Sequence, residues 1–351
     1  MSRVLIMTAD EKDKTASSLN QSLSKDAQGK KEVSSKRESS WPSVLFYIHL
    51  YILGLYGVIV LFTNTSLLTI IFTFVLIFAG IIGTTAGSHR LWAHRTYKAN
   101  ASLRFILMLC QTLTGQGSIY NWVQLHRLHH ATHKTQDDPY YSDKDFFSAH
   151  VLAQMQSLGD KQQQMLKMVD MKDLEEDRIV MFQKRFYWVL YIIVFALLPI
   201  NAPLEYWGDS AAAAIFVTFS LRYLIVLNVC WLINSAHFIW GLDKNNKPSD
   251  SNMIFLVTKT YWPHYHYLLP WDYQTGEFGD YGEDITTTTI RVCAALGWAS
   301  DLQMVTSEAV KKGLTMAVDT DRPIVDCIKL AAQQELECIP KDHYLQKSKY
   351  L

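Results

Sequence analysis

The sequence has no surplus of charge of either sign: 33 Lys and Arg stand against 33 Asp and Glu. It therefore lacks the basic footprint by which proteins hold a nucleic-acid backbone, and no nucleic-acid partner is expected. Cysteine is scarce. The five cysteines, Cys110, Cys230, Cys293, Cys327 and Cys338, are odd in number, scattered and without a CxxC pair. That argues against a disulfide framework or a zinc ribbon and for reduced thiols. Charged residues make up only 19% of the chain against 49% hydrophobic, which is apolar for a soluble protein. Residues 1–40 are the exception: they are mostly Ser, Lys, Glu and Asp, with few large apolar side chains. Such a segment cannot bury enough surface to offset its ordering entropy, so it is expected to be disordered. It also lacks the apolar core of a secretory signal.

The apolar residues lie in runs. Residues 44–62 and 67–85 contain no charge, and each is 19 residues long, close to the ~20 needed to cross the hydrocarbon of a bilayer. Residues 186–200 and 211–233 form a second pair, the latter with one arginine, Arg222. The expected fold is an all-α integral membrane protein with four transmembrane helices in two hairpins. The connectors TNTS and NAPLEYWGDS hold no Lys or Arg, whereas the N-terminus, residues 86–185 and residues 234–351 hold nearly all of them. By the positive-inside rule those three parts face the cytosol, as a helical cap with both termini on that side. Asn64-Thr65-Ser66 is a formal glycosylation sequon, but so short a loop holds it too near the membrane to be used. The apolar stretch 103–113 is too short to span and is expected at the interface or packed on the bundle.

Histidines cluster at the ends of the spans. His49 is the only one inside an apolar run, and it is read as a packed or hydrogen-bonded intramembrane residue. SHRLWAHRTYKA carries His89 and His94, and YNWVQLHRLHHATHKTQDDP carries His126, His129 and His130. On a helix the last three share one face. His89 and His94, five apart, differ by about 140° on an α-helix at ~100° per residue, so they are expected to grip a metal from two sides or to serve two metals. Any one of these is by itself an ordinary surface histidine, and His133, His150 and His343 are left with that reading. Five in two motifs on one membrane face point to a metal site. All-nitrogen ligation suits iron, zinc or copper. The residues alone leave two functions open: redox chemistry on a lipid, or a metal-binding or scaffold protein without turnover.

HRLWAHRTYKA, HRLHH with its following DDP, WLINSA and PWDY together resemble the membrane fatty acyl-CoA desaturases of the stearoyl-CoA type, in order and spacing from about Trp41 to Trp298. The resemblance implies a desaturase domain over residues 41–298, with 1–40 as an N-terminal segment and 299–351 as a cytosolic tail. It implies a di-iron centre in the endoplasmic reticulum membrane that introduces a double bond into a saturated fatty acyl-CoA with dioxygen. Electrons come from a b-type cytochrome and its NADH-linked reductase. His89, His94, His126, His129, His130 and His266 match the family's iron ligands, and Asn234 matches a residue that assists the metal through water. Trp122 and Trp231 match tryptophans near the substrate channel, and Ile77 and Ile81 match positions that close the acyl tunnel.

The chain departs from the family's pattern at three ligand positions, which hold Phe238, Pro263 and Tyr267. His237 and His264 lie one residue off register and are the candidate substitutes; Tyr267 offers an oxygen. Lys259-Thr260-Tyr261 replaces the family's Gly-Glu-Gly. Gln124 stands where an arginine would face coenzyme A, which should weaken acyl-CoA binding. The alternative is a catalytically silent paralogue that binds lipid, metal or partner desaturases. The ending Lys347-Ser348-Lys349-Tyr350-Leu351 resembles a dilysine retrieval signal of the endoplasmic reticulum.

Overall fold

The computed structural model describes residues 37–133, 135–140, 145–239, 266–267, 269–277 and 282–338. It is mostly helical, with almost no sheet. Helices α1 (Trp41–Thr63) and α2 (Leu67–Ala93) form a first membrane hairpin. Helices α3 (Ala101–Thr112) and α4 (Ile119–Thr132) follow, then the short α5 (Phe146–His150), α6 (Asp160–Met168) and α7 (Lys172–Glu176). The second hairpin is α8 (Arg178–Trp207) and α9, which starts as Ala213–Leu221 and continues as Arg222–Ile239. Four helices are thus long and apolar enough to cross a membrane, and the chain is a multi-pass membrane protein. Large apolar side chains stay exposed along α1, α2 and α8, among them Ile52, Ile59, Phe74, Trp188 and Ile192. Such a belt suits lipid rather than water.

The third span is longer than its sequence suggests. It covers 30 residues rather than 186–200, because it opens on a half-exposed turn with Arg178 and runs through Pro199 and Pro203. The π-helical stretch Tyr191–Leu197 loosens the hydrogen-bond ladder just before those prolines. The helix stops at Gly208, whose φ of 65° needs no Cβ to avoid a clash. The expected loop NAPLEYWGDS therefore shrinks to its last residues. On that side Asp209 ties the two hairpins together, accepting from Ser66 Oγ at 2.7 Å and from Thr69 Oγ1. Asn64, the sequon residue, donates to Ser210 Oγ at 3.2 Å.

On the opposite side α3 packs on α2 and α8, burying Leu103, Leu107, Met108 and Gln111 while Phe105 and Ile106 stay exposed. It is too short to span. It passes so close to α2 that a Cβ on Gly83 would lie 2.3 Å from the backbone of Cys110 and Gln111. Arg222 is fully buried beneath it. Its guanidinium donates to the carbonyls of Thr218 at 2.8 Å, Leu113 at 2.6 Å and Phe195 at 3.0 Å. The cation thus meets the carbonyl end of α3, where the helix dipole favours it. His49 bonds the Leu45 carbonyl of its own helix at 2.6 Å, as an intramembrane histidine should.

Residues 282–338 close the cap. Strand β1 (Lys98–Ala99) pairs antiparallel with β2 (Ala299–Ser300), after α10 (Ile285–Ala295). Helices α11 (Ser307–Thr320) and α12 (Ile324–Cys338) then pack on each other around Val310, Leu314 and Ile328, with Leu269 in the same core. The segment set apart from sequence as a tail thus begins with a paired strand and a helical hairpin. The last residues of the expected disordered segment are also ordered: Ser40 donates to the Met155 carbonyl at 2.8 Å, and Arg37 to that of Ala153 at 2.6 Å. A guanidinium collecting carbonyls offsets the ordering cost that the composition could not.

Candidate metal centre

Ser118 caps α4 by accepting from the Asn121 N–H, which fixes the start of the helix that carries His126, His129 and His130. Arg127 locks its other face, donating to Asp173 at 2.9 and 2.7 Å and to the Trp92 carbonyl at 2.8 Å. That draws α4 against the end of α2. There the backbone is π-helical over Gly83–Ala93, and the His94 N–H bonds the His89 carbonyl five residues back. Five residues then make about one turn. The 140° separation expected from α geometry does not occur. Both imidazoles face the same point, with ring centroids 4.8 Å apart.

Four histidines converge there. Ligand nitrogens of His89, His94, His126 and His266 all lie within 4.8 Å of one another. The closest pairs are His94 Nε2 to His126 Nε2 at 2.9 Å and His89 Nε2 to His266 Nε2 at 3.1 Å. His130 joins them, its Nε2 3.2 Å from that of His266. His129, one position before, turns aside into a neighbouring group with His133 and Asp138. HRLHH therefore serves two adjacent points rather than one.

The rings are held from behind. His89 Nδ1 meets Glu277 Oε1 at 2.9 Å, His126 Nδ1 meets Asn234 Oδ1 at 3.0 Å, and His129 Nδ1 meets Asp138 Oδ1 at 2.7 Å. Each of these oxygens can only accept, so each Nδ1 carries the hydrogen and each Nε2 presents a lone pair inward. Asn234 thus acts as a support behind His126. Glu277 is itself gripped by Arg90, whose Nε and Nη2 reach its two oxygens at 2.8 Å each. Arg90 also donates to Asp284 at 2.9 Å and to the Tyr273 carbonyl at 2.7 Å.

Charge is arranged to match. Burial, then the neighbouring imidazoles, hold His94, His126, His130 and His266 well below the usual histidine range. They are neutral at physiological pH, the form that ligates metal. Burial would raise the Glu277 carboxyl, but the Arg90 guanidinium and His89 overcome it and keep it ionised, below the usual carboxylate range. Burial likewise opposes ionisation of Asp138, while His129 brings it down to about 2. The Nε2 lone pairs of His89 and His126, fixed by the oxygens behind their rings, thus open into a buried cluster of further neutral imidazole nitrogens. The donor set therefore fits a metal ion.

Other expected residues fall as follows. Trp122 stacks on His126, centroids 5.0 Å apart and 18° between planes. Trp231 is buried, edge-on to Tyr47 at 5.2 Å and to His150 at 5.7 Å. Ile77 and Ile81 are half-buried on α2, 12 and 8 residues before His89. Gln124 donates to the Leu166 carbonyl at 2.9 Å. His237 and Phe238 lie on the α9 backbone, their side chains outside the described residues, as are Pro263, His264, His343, residues 259–261 and the dilysine end.

Two histidines read as surface residues are not. His150 is buried, bonded to Ser235 Oγ at 2.8 Å and Asn228 Oδ1 at 3.2 Å. His133 stacks face to face on Tyr267 at 3.7 Å. Sequence reasoning also missed Glu277, Asp138 and Arg90. Asp138 is the second residue of the DDP already singled out, and Arg90 directly follows His89; an anion search near the histidine motifs would have found the first.

No protein-family model matches the chain. Curated relatives do. The chain is 39% identical over 281 residues to an acyl-CoA Delta-9 desaturase of Acheta domesticus, covering 79% of this chain and 78% of that one. It is 37% identical to an acyl-CoA Delta-12 desaturase of Tribolium castaneum, over 80% of each. An acyl-CoA Delta(11) desaturase of Choristoneura rosaceana is 34% identical, over 81% of this chain and 86% of that one. Shared length on this scale, together with four apolar spans and converging histidines, means that the chain belongs to the membrane acyl-CoA desaturase family.

Proposed function

We infer that the protein is an iron-dependent acyl-CoA desaturase that converts a saturated fatty acyl-CoA to its cis-unsaturated product. The observation that carries this reading is the convergence of Nε2 atoms from His89, His94, His126, His130 and His266, with the His89 and His126 tautomers fixed by Glu277 and Asn234. Iron supplies the activation of dioxygen needed to break an unactivated C–H bond. The balance is simple: two adjacent methylenes lose two hydrogens, and dioxygen, two electrons and two protons leave as two waters.

The chain's residues do the rest. Glu277 and Arg90 hold His89 in place, and Asn234 holds His126, so the donor set is organised before any metal arrives. Trp122, stacked on His126, walls the cluster with an apolar ring that keeps water from its edge. Ile77 and Ile81 lie along α2, where the acyl chain is to be measured. Gln124, neutral and engaged by α6, leaves the coenzyme A phosphates without the charge-assisted contact an arginine would give. Electrons come from a b-type cytochrome with its NADH-linked reductase. The protein resides in the endoplasmic reticulum with the cap and both termini cytosolic, which the lysine and arginine distribution supports.

The test is expression in a desaturase-deficient cell followed by fatty-acid profiling. Parent protein should yield new monounsaturated acyl chains, and His126→Ala none. An unchanged profile with the parent, present at normal level in the membrane, would favour the silent paralogue.

A further inference from the structure

Beside the five-histidine cluster, His129 repeats the pattern of His89. Its Nδ1–H is taken by a buried carboxylate, Asp138, at 2.7 Å, so its Nε2 lone pair points away from that support. For His89 the atom facing Nε2 is another ring nitrogen, that of His266. For His129 it is the hydroxyl oxygen of Tyr267, at 2.9 Å. That phenol ring is fixed on both sides. It stacks on His133 with centroids 3.7 Å apart and planes 10° apart, and it lies 5.0 Å from the ring of His130, a member of the cluster. His133 and Asp138 complete a second group whose ligand atoms lie within 4.8 Å of one another.

We propose that Tyr267 is an oxygen ligand of a second metal position, shared with His129 and adjacent to the histidine cluster. The proposal rests on the metal reading above and adds to it the identity of one donor. In the metal-free state the Tyr267 O–H donates to His129 Nε2. On loading, that O–H bond breaks, a metal–oxygen bond forms, and the proton leaves to bulk water; no electron moves in this step. The phenolate oxygen and the imidazole nitrogen then address the same cation. A hard oxygen donor with imidazole suits iron, particularly ferric iron, better than a soft metal. Asp138 serves as the support that raises the basicity of His129, as Glu277 does for His89.

The test is spectroscopic and needs no turnover. Full-length protein in detergent is loaded with ferrous ion and oxidised with ferricyanide, which takes one electron from each iron. A phenolate-to-iron(III) charge-transfer band with resonance-enhanced tyrosinate Raman modes is expected in the parent. Tyr267→Phe and Tyr267→His should both lose the band, and Tyr267→His should keep its iron because it restores a nitrogen donor. A Tyr140→Phe control should keep the band. Bound iron without the band in the parent would overturn this assignment alone. Persistence of the band in Tyr267→Phe would also overturn it. A parent that takes up no iron would overturn both this proposal and the metal reading beneath it.

Discussion

The backbone N–H of His94 donates to the carbonyl oxygen of His89 at 3.0 Å, closing a turn one residue wider than that of an α-helix. This single bond puts two imidazoles on one point when α geometry would put them on different sides. The π-helical stretch that contains it begins at Gly83, where α3 presses against α2. A side chain at Gly83 would have to displace the backbone at Cys110. Gly83→Ala is therefore expected to destabilise the protein by about 1–3 kcal/mol, the usual cost of overpacking. It should also lower metal retention, because the register of His89 shifts with α2. Thermal unfolding in detergent checks the first part, and an unchanged midpoint would show that α3 yields freely.

Glu277 accepts from both His89 and Arg90 while almost wholly buried. Glu277→Gln leaves the guanidinium with Asp284 as its anion and weakens the hold on His89. Breaking a buried pair from one side costs about 3–5 kcal/mol, and loss of such a support costs metal affinity about 10–100-fold. Metal titration of the purified variant reads the second effect directly. Affinity equal to the parent's would remove Glu277 from the metal account.

Much of this was legible in the sequence, for identifiable reasons. Charge-free runs announce membrane helices because their length and polarity are set by the bilayer, and the spans at Trp41–Thr63 and Ala213–Ser235 fall within a few residues of expectation. HRLHH reads as a ligand helix because spacings of three and four recur on one face. What the sequence hides is anything set by tertiary contact. The π register at His89–His94 belongs to a stretch that begins at Gly83, where α3 packs closely, and no residue type in the motif signals it. Glu277 reaches His89 across 188 positions of chain, and no local pattern signals such a partner. His133 looks like a solvent histidine until Tyr267 stacks on it.

Acid should destabilise the metal-free protein. His94, His126, His130 and His266 titrate below their unfolded value of about 6.5. Between the folded and unfolded values the unfolded chain binds more protons, so stability falls as pH drops through that window. The slope is up to about 1.4 kcal/mol per pH unit for each imidazole. Asp138 and Glu277 are depressed acids, so their stabilisation is present above about pH 4 and is lost as pH falls further. Both effects have the same sign. The unfolding midpoint of the metal-free protein should drop between about pH 7.5 and about pH 5.5; a rise over that range would contradict the buried, neutral assignment.

Ile81 lies four residues from Ile77 on one face of α2, half-buried. If that face sets acyl length, Ile81→Gly removes a side chain from the end of the measured path, and the preferred substrate should lengthen by a few carbons. Fatty-acid profiling of cells expressing parent and variant reads this out. An identical product distribution would assign Ile81 to ordinary helix packing.

The most direct test of the central claim is iron per chain in the purified protein, parent beside His126→Ala. His126 faces His94 at 2.9 Å and is held by Asn234 at 3.0 Å, so its removal opens the cluster while leaving α4 capped by Ser118. The account predicts stoichiometric iron in the parent and a steep loss in the variant, with both folded in detergent. Iron retained in full by His126→Ala, or a parent that desaturates acyl chains while free of iron, would contradict it.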